Sequence, residues 1–165
     1  MSENPLGKKV TYADKYMPEL LVGIPRQHNR DALELLAGKL PFMGADIWNA
    51  YELSCLDTNG RPRNFVGRFV FPADSKNLVE SKSLKLYLNS LNQEKFESAE
   101  HFSIVLAKDL STIAGKDVDV AVFLPEETAQ PELPAGTCLD HLDIAASEYH
   151  VNPKLLKRDG GKGYE

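Results

Sequence analysis

The sequence has little of the residue types that mark several specialised classes of protein. Its 165 residues include only two cysteines, Cys55 and Cys138, and four histidines, with no CxxC or Cys/His spacing. We therefore expect neither a disulfide framework nor a metal site. No apolar run approaches the ~18 residues of a membrane span, and residues 1–10 lack the apolar core of a signal peptide. These absences predict a cytoplasmic protein with no membrane partner.

Positive charge is also scarce. The chain has 19 Lys and Arg against 24 Asp and Glu, a formal net charge of -5. Its basic residues are scattered apart from those between Lys154 and Lys162, so we expect no direct contact with nucleic acid. With 42% hydrophobic and 26% charged residues, the chain is long enough for one ordinary domain with a core of its own.

A hairpin is predicted in the first half of the chain. Residues 47–56 and 64–71 alternate apolar and polar side chains as strands do. The segment Asp57-Thr58-Asn59-Gly60 lies between them and contains the Asn-Gly pair of a tight turn, in which both central residues take positive φ.

Two helices and two further strands are predicted after this hairpin. An amphipathic helix follows Glu80, and a second fits Ser98 to Ala114, ended by Gly115. Residues 117–124 alternate as a strand, and residues 137–149 form a weaker strand candidate. The apolar stripe of the first helix has the spacing i, i+3, i+4, i+7: Leu84, Tyr87, Leu88 and Leu91.

The predicted element order is strand-strand-helix-helix-strand-strand. Strands in hairpin pairs with helices between them favour an α+β domain, an antiparallel sheet with both helices on one face. We expect one module over residues 1–150, which begins with a loop-rich extension over 1–45. Residues 151–165 have the composition of a linker or tail.

The segment Val79-Glu80-Ser81-Lys82-Ser83-Leu84-Lys85, where a strand gives way to a helix, is the strongest candidate site. Glu80 is either a carboxylate favoured at a helix start or an acceptor for two parallel N–H donors, such as a guanine edge presents. Ser81 is predicted to be the N-cap. Lys82 and Lys85 belong either to a solvated face or to a phosphate site at the helix start. The functional alternatives together predict a site for a guanine-like base and a phosphorylated cofactor.

The two cysteines are weaker candidates. Cys55 lies in a predicted strand, where a cysteine is usually a small buried hydrophobe. A nucleophile would need a lowered pKa and an acid–base partner, and no such constellation is visible near it. Cys138 precedes Asp140, His141 and Asp143 in a spacing that matches no known ligand pattern.

The segment from Val79 to Asn92 closely resembles the signature of the NADPH-dependent 7-cyano-7-deazaguanine reductases, the nitrile reductases of queuosine biosynthesis. That signature reads Glu-Ser-Lys-Ser, an apolar residue, Lys and an apolar-aromatic run. The resemblance extends roughly from Leu6 to Asp143, and other stretches are similar to the N-terminal half of the two-module form: Ile24-Pro25-Arg26, Asn29-Arg30-Asp31, Leu40-Pro41-Phe42, Asp46-Ile47-Trp48 and Tyr51-Glu52-Leu53-Ser54.

The resemblance implies a fold, a reaction and a set of site residues. The fold is the tunnelling fold, whose modules associate into purine-binding barrels. In the reaction, a cysteine thiolate attacks the nitrile and two NADPH molecules reduce the adduct to an aminomethyl group. Val79, Glu80 and Ser81 would hold the deazaguanine, and Ser81, Lys82 and Lys85 would meet the NADPH phosphates.

The chain departs from the complete family pattern. The position of the family's proton-donating aspartate falls at Pro62 or Arg63, and that of its His-Glu pair falls at Glu97-Ser98. We therefore interpret Cys55 as structural and the chain as the substrate- and cofactor-binding half. Its partners would be the missing C-terminal module and further copies in a homodimer or larger homo-oligomer. The alternatives are a stand-alone module that binds a purine-like metabolite, or a short-form reductase that uses Cys55 as its nucleophile.

Overall fold

The computed structural model describes residues 15–36, 38–128, 136–138, 140–143, 145 and 147–155. The chain divides into two compact units, Met1–Ala129 and Gln130–Glu165. Within the described residues of the second unit there is a 3-10 helix, Pro153–Leu155, and no strand. The strand predicted over residues 137–149 is therefore wrong for the described part of that range. Residues 156–165 of the predicted tail lie outside the described residues.

The described residues of the first unit contain five strands, three α-helices and two 3-10 helices. The 3-10 helices are Pro18–Leu20 and Pro125–Glu127. The strands and α-helices are, in chain order, β1 Gly23–Pro25, α1 Arg26–Asp31, β2 Ala45–Leu56, β3 Pro62–Pro72, β4 Asn77–Val79, α2 Ser81–Ser90, α3 Ala99–Ala114 and β5 Asp119–Phe123.

The strands form two antiparallel sheets. The larger has the order β2-β3-β5, and the smaller pairs β1 with β4. The predicted α+β class, the hairpin strands, both long helices and the first strand after them are confirmed. Strand β1 and helix α1 were not predicted, because residues 1–45 have the prolines and short polar stretches of a loop-rich segment. A strand of three residues is too short to show a period, and β1 depends on its hydrogen bonds to β4.

The hairpin between β2 and β3 has a longer loop than predicted. Leu56 pairs with Pro62, so five residues connect the strands. Gly60 has φ +81°, but Asn59 does not have positive φ, and the predicted two-residue turn is wrong. The reason is Asp57, whose Oδ1 accepts hydrogen bonds from the backbone N–H groups of Asn59 and Arg61, each at 2.9 Å. A short acidic side chain that binds the backbone ahead of it stabilises a wider turn.

Both long helices contribute to one core beside the larger sheet. Strand β3 presents Phe65, Phe69 and Phe71 to that core, all less than 4% exposed. The ring centroids of Phe65 and Phe102 of α3 lie 6.0 Å apart. Gly115 follows α3 with φ +70°, as its predicted C-terminal role requires. None of the helices formed by the described residues is long and apolar enough to cross a membrane.

A β-bulge interrupts the pairing of β2 with β3. Ala50 pairs with Gly67 and Leu53 with Phe65, so β2 carries one extra residue there. The bulge leaves Tyr51 73% exposed and Leu53 only 2% exposed. A bulge of this kind re-aims the side chains beside it.

Candidate functional site

The candidate site is the junction at which β4 ends and α2 begins. Glu80 is the N-cap residue of α2, with φ −72° and ψ 131°. Its Oε1 accepts a hydrogen bond from the backbone N–H of Lys82 at 2.9 Å, and its Oε2 accepts one from that of Ser83 at 2.7 Å. The prediction that Ser81 caps the helix is therefore wrong. A carboxylate satisfies two of the free amides of a helix start, whereas a serine hydroxyl one residue later lies within the helix.

Glu80 is buried, with 5% of its surface exposed. Its main-chain N–H donates to the carbonyl of Val22 at 2.8 Å, and its carbonyl accepts from the hydroxyl of Ser83 at 2.8 Å. An ionised carboxylate has about four acceptor positions, and the two helix amides use one on each oxygen. The hydroxyl of Ser81 makes a further, long hydrogen bond of 3.5 Å to Oε1.

Val79 precedes Glu80 and fixes its place in the fold. It pairs with Gly23 across the β1–β4 sheet, and its side chain is 1% exposed in the hydrophobic core. The side chain of Val79 therefore packs in the core, and only its backbone could meet a ligand.

A groove of about 560 Å³ lies between α2 and the middle of β2. Ser81 and the exposed Lys85 both line it, whereas Glu80 and Lys82 do not. The structure thus brings Ser81 and Lys85 together in one groove, and Glu80 precedes Ser81 in the chain. The complete lining is Trp48, Asn49, Ala50, Tyr51, Glu52, Phe69, Ser81, Leu84, Lys85, Leu88, Asn89 and Asn92.

The opposite wall of the groove was missed by the sequence analysis. It consists of β2 residues around the bulge, among them Trp48, Tyr51 and Glu52. Trp48 packs edge-on against Phe71, with the ring centroids 6.1 Å apart. This contact supports the indole on its side of the groove. The bulge cannot be read from the sequence, because Tyr51-Glu52-Leu53 continues an ordinary strand pattern.

An anchoring network beneath α2 was also missed. The hydroxyls of Tyr16 and Tyr87 both donate to Oδ2 of Asp109, at 2.6 and 2.7 Å. Burial, followed by the hydrogen bond to Asp109, raises the pKa of both phenols. Tyr87 was predicted as part of the apolar stripe, but nothing in a sequence indicates that its hydroxyl meets a carboxylate 22 residues later.

Arginines of α1 tie this helix to the sheet. Arg26 forms an ion pair with Asp46 at the start of β2, and its Nε donates to the hydroxyl of Ser75 at 2.9 Å. A second arginine, Arg30, donates to the carbonyl of Ala73 at 2.5 Å. These contacts hold α1 against the start of β2 and the connection between β3 and β4.

Cys55 lies in the core, away from the groove lining, and is 2% exposed. Burial raises the pKa of its thiol, and the positive charge of Arg63 opposes that rise without cancelling it. The other cysteine, Cys138, is exposed. Among the described residues, no three His, Cys, Asp or Glu side chains are grouped so that they could hold a metal ion.

Comparison with known proteins identifies the family. A sequence profile described as nitrile reductase, 7-cyano-7-deazaguanine reductase, N-terminal, matches residues 12–122, more than half of the chain. The chain belongs to this nitrile reductase family. The profile covers every candidate residue from Val79 to Lys85 as well as both walls of the groove.

Three relatives, each named NADPH-dependent 7-cyano-7-deazaguanine reductase, illustrate the similarity. The chain is 49% identical over 155 residues to the protein of Azoarcus sp. strain BH72, covering 93% of this chain and 55% of the relative. It is 44% identical to that of Chromobacterium violaceum, covering 94% and 57%, and 47% identical to that of Teredinibacter turnerae, covering 92% and 54%. The chain therefore spans about half the length of these curated relatives.

Proposed function

We propose that this chain is the substrate- and cofactor-binding N-terminal half of a nitrile reductase. The complete enzyme would convert the nitrile of 7-cyano-7-deazaguanine to an aminomethyl group with two NADPH, a step in queuosine biosynthesis. The observation that carries this proposal is the Glu80 carboxylate, fixed by two amides of α2 and next in sequence to Ser81, which lines the groove. Membership of the nitrile reductase family supports it.

Glu80 would recognise the deazaguanine. The base presents an exocyclic amine and a ring N–H side by side, and a carboxylate accepts two such bonds as a charge-assisted pair. The helix amides fix both oxygens of Glu80 before any ligand arrives. Because the carboxylate is already ordered, little rotamer entropy is lost on binding. Val79 and Ser81, on either side of Glu80, complete the proposed contact.

NADPH would occupy the groove, where it supplies hydride for reduction of the nitrile. Ser81 and Lys85 line the groove, and a hydroxyl and an ammonium group at the start of a helix suit phosphate. Lys82 follows Ser81 on the same turn and would reach the phosphates from outside the groove. A volume of about 560 Å³ lies within the usual range for small-molecule sites.

The nucleophile would lie in the other half of the enzyme. The chain spans about half the length of its relatives, and burial raises the pKa of Cys55, the reverse of what a nucleophile needs. We propose that residues 1–150 form a tunnelling-fold module, with 151–165 as a linker. A C-terminal module and further copies of the chain would be its partners.

Titration of the chain with 7-cyano-7-deazaguanine tests the proposal. We expect the wild-type chain to bind, and Glu80→Gln to lose at least tenfold in affinity because an amide cannot accept both N–H groups. Glu100→Gln is the matched control, since it removes the same charge from the first turn of α3 and should bind as the wild type does. Absence of binding by the wild-type chain, or equal binding by Glu80→Gln, would contradict the proposal.

A further inference from the structure

An N-terminal strap, residues 15–22, is bound to α2 by hydrogen bonds from its backbone amides to serine side chains of the helix. The backbone N–H of Met17 donates to the hydroxyl of Ser90 at 3.2 Å, and that of Val22 donates to the hydroxyl of Ser83 at 3.0 Å. Beyond the helix end, the N–H of Tyr16 donates to Oε1 of Glu94 at 2.9 Å. The strap therefore uses side chains of the helical segment as its acceptors.

Ser83 and Ser90 form a matched pair on α2. They are 0% and 1% exposed. Each hydroxyl donates to the carbonyl three residues earlier, Ser83 to Glu80 at 2.8 Å and Ser90 to Tyr87 at 2.6 Å. Each accepts one strap amide in return. A buried hydroxyl is costly unless it is hydrogen-bonded, and both of these hydroxyls are used as donor and acceptor.

Only one member of the pair contacts the candidate site. Ser83 binds Glu80 twice, because its backbone N–H donates to Oε2 and its hydroxyl donates to the Glu80 carbonyl. Val22, which donates to the Ser83 hydroxyl, also accepts the backbone N–H of Glu80 at 2.8 Å. The hydrogen bonds close a ring through Val22, Ser83 and Glu80. Ser90 lies about two helical turns further along and contacts no atom of this ring.

We propose that Ser83 is a positioning residue, through which the docked strap sets the orientation of the Glu80 carboxylate for its ligand. This inference rests on the proposed function of Glu80. Ser83 itself does not touch the ligand, since it is 0% exposed and its hydroxyl already binds the Val22 amide and the Glu80 carbonyl. The affinity for 7-cyano-7-deazaguanine would then depend on whether the strap is bound at Val22.

Ser83→Ala and Ser90→Ala test the proposal in the 165-residue chain. Each variant removes one buried hydroxyl, together with its hydrogen bond from a strap amide and its hydrogen bond to a carbonyl of α2 or its N-cap. We therefore expect similar falls in thermal stability. Ser83→Ala should lose at least tenfold in affinity for 7-cyano-7-deazaguanine, and Ser90→Ala should stay within twofold of the wild type. If Ser83→Ala does not fold, Ser83→Cys keeps a donor and acceptor at this position with weaker hydrogen bonds and should follow the same order.

Equal affinities for the two variants, whether both lowered or both unchanged, would overturn the proposal. Amide hydrogen exchange gives a readout that needs no ligand. The backbone N–H of Lys82 donates to the carboxylate of Glu80. This amide should exchange faster in Ser83→Ala than in the wild type and at the wild-type rate in Ser90→Ala. Equal exchange rates in the two variants would contradict the proposal. The wild-type chain could fail to bind 7-cyano-7-deazaguanine while the two variants still differ in exchange at Lys82. That result would refute the proposed ligand but support the role of Ser83 in positioning Glu80.

Discussion

Leu53 occupies the space that a side chain at Gly67 would need. A Cβ atom built on Gly67 would lie 2.5 Å from Cδ1 of Leu53 and 3.2 Å from the ring of Phe69. The bulge in β2 turns Leu53 inward at this point, across from the neighbouring strand. The close packing of Leu53 and Phe69 at this point therefore depends on a glycine in β3.

Gly67→Ala is expected to destabilise the chain. The added methyl group must displace Leu53 or strain β3, and overpacking of this kind costs about 1–3 kcal/mol. Urea denaturation would measure the change in the free energy of unfolding. Gly136→Ala is the control, since no described atom lies within 4 Å of its Cβ position. An unchanged unfolding midpoint for Gly67→Ala would show that the bulge adapts freely.

Tyr87→Phe should alter the dependence of stability on pH. Burial, then the hydrogen bond to Asp109, raises the pKa of Tyr87 above the ordinary value near 10. The unfolded chain therefore releases this proton first. The resulting stabilisation is complete below pH ~10 and is lost as the pH rises through 10 toward the folded-state pKa. The free energy of unfolding of the wild type should consequently fall more steeply above pH 10 than that of Tyr87→Phe.

Equilibrium unfolding at a series of pH values from 7 to 11 measures this effect. At pH 7 the variant should be less stable by about 1–3 kcal/mol, because it loses one buried hydrogen bond. Asp109 keeps its bond to Tyr16 in the variant, so no carboxylate is left without a partner. Parallel stability profiles for the two proteins would contradict the assigned direction of the pKa.

Cys55 should be unreactive in the folded chain. It is buried and burial raises its pKa, whereas Cys138 is exposed. Iodoacetamide at pH 8 should therefore label Cys138 quickly and Cys55 only after unfolding, as measured by peptide mass spectrometry. Incubation with 7-cyano-7-deazaguanine should add no mass at Cys55. An adduct that disappears in Cys55→Ala would instead make this chain a short-form reductase.

Lys85→Ala should weaken NADPH binding without loss of stability. Lys85 is exposed on the groove wall, and surface substitutions usually change the free energy of unfolding by less than about 0.5 kcal/mol. Loss of one charged contact to phosphate costs about 1 kcal/mol, roughly fivefold in Kd. Fluorescence titration with NADPH at low and high salt would measure this change in Kd. Lys108→Ala, on the exposed side of α3, is the charge-matched control and should leave the affinity unchanged.

Several elements were predictable because their signals are local. The stripe that includes Leu84 and Leu91 predicted α2, and the alternation of residues 64–71 predicted β3. Gly115 marked the end of α3 correctly. The same local rules failed at Asp57, where a side-chain hydrogen bond selects a five-residue loop over the two-residue turn that Asn-Gly favours.

The place of the candidate site in the fold was predictable, whereas the roles of its residues stay a proposal. The signature from Val79 to Lys85 falls at a strand–helix junction, as its residues indicated. The sequence did not indicate which residues of the signature face the groove. Ser81 and Lys85 line the groove, whereas Glu80 turns back to cap α2. Ser83 looked like an ordinary polar residue of the signature, and its burial depends on the strap, which lies some 60 residues earlier in the chain.

The sequence by itself determined the α+β class, the long helices, the hairpin and the family, because periodicity, glycine caps and a specific signature are properties of neighbouring residues. Only the tertiary structure decided which groups of the signature are buried, where the groove lies and how Glu80 is held. Those outcomes depend on contacts between distant segments, among them Val22 with Ser83 and Leu53 with Gly67. Such contacts form when the packed core brings these segments together, and no local pattern encodes them.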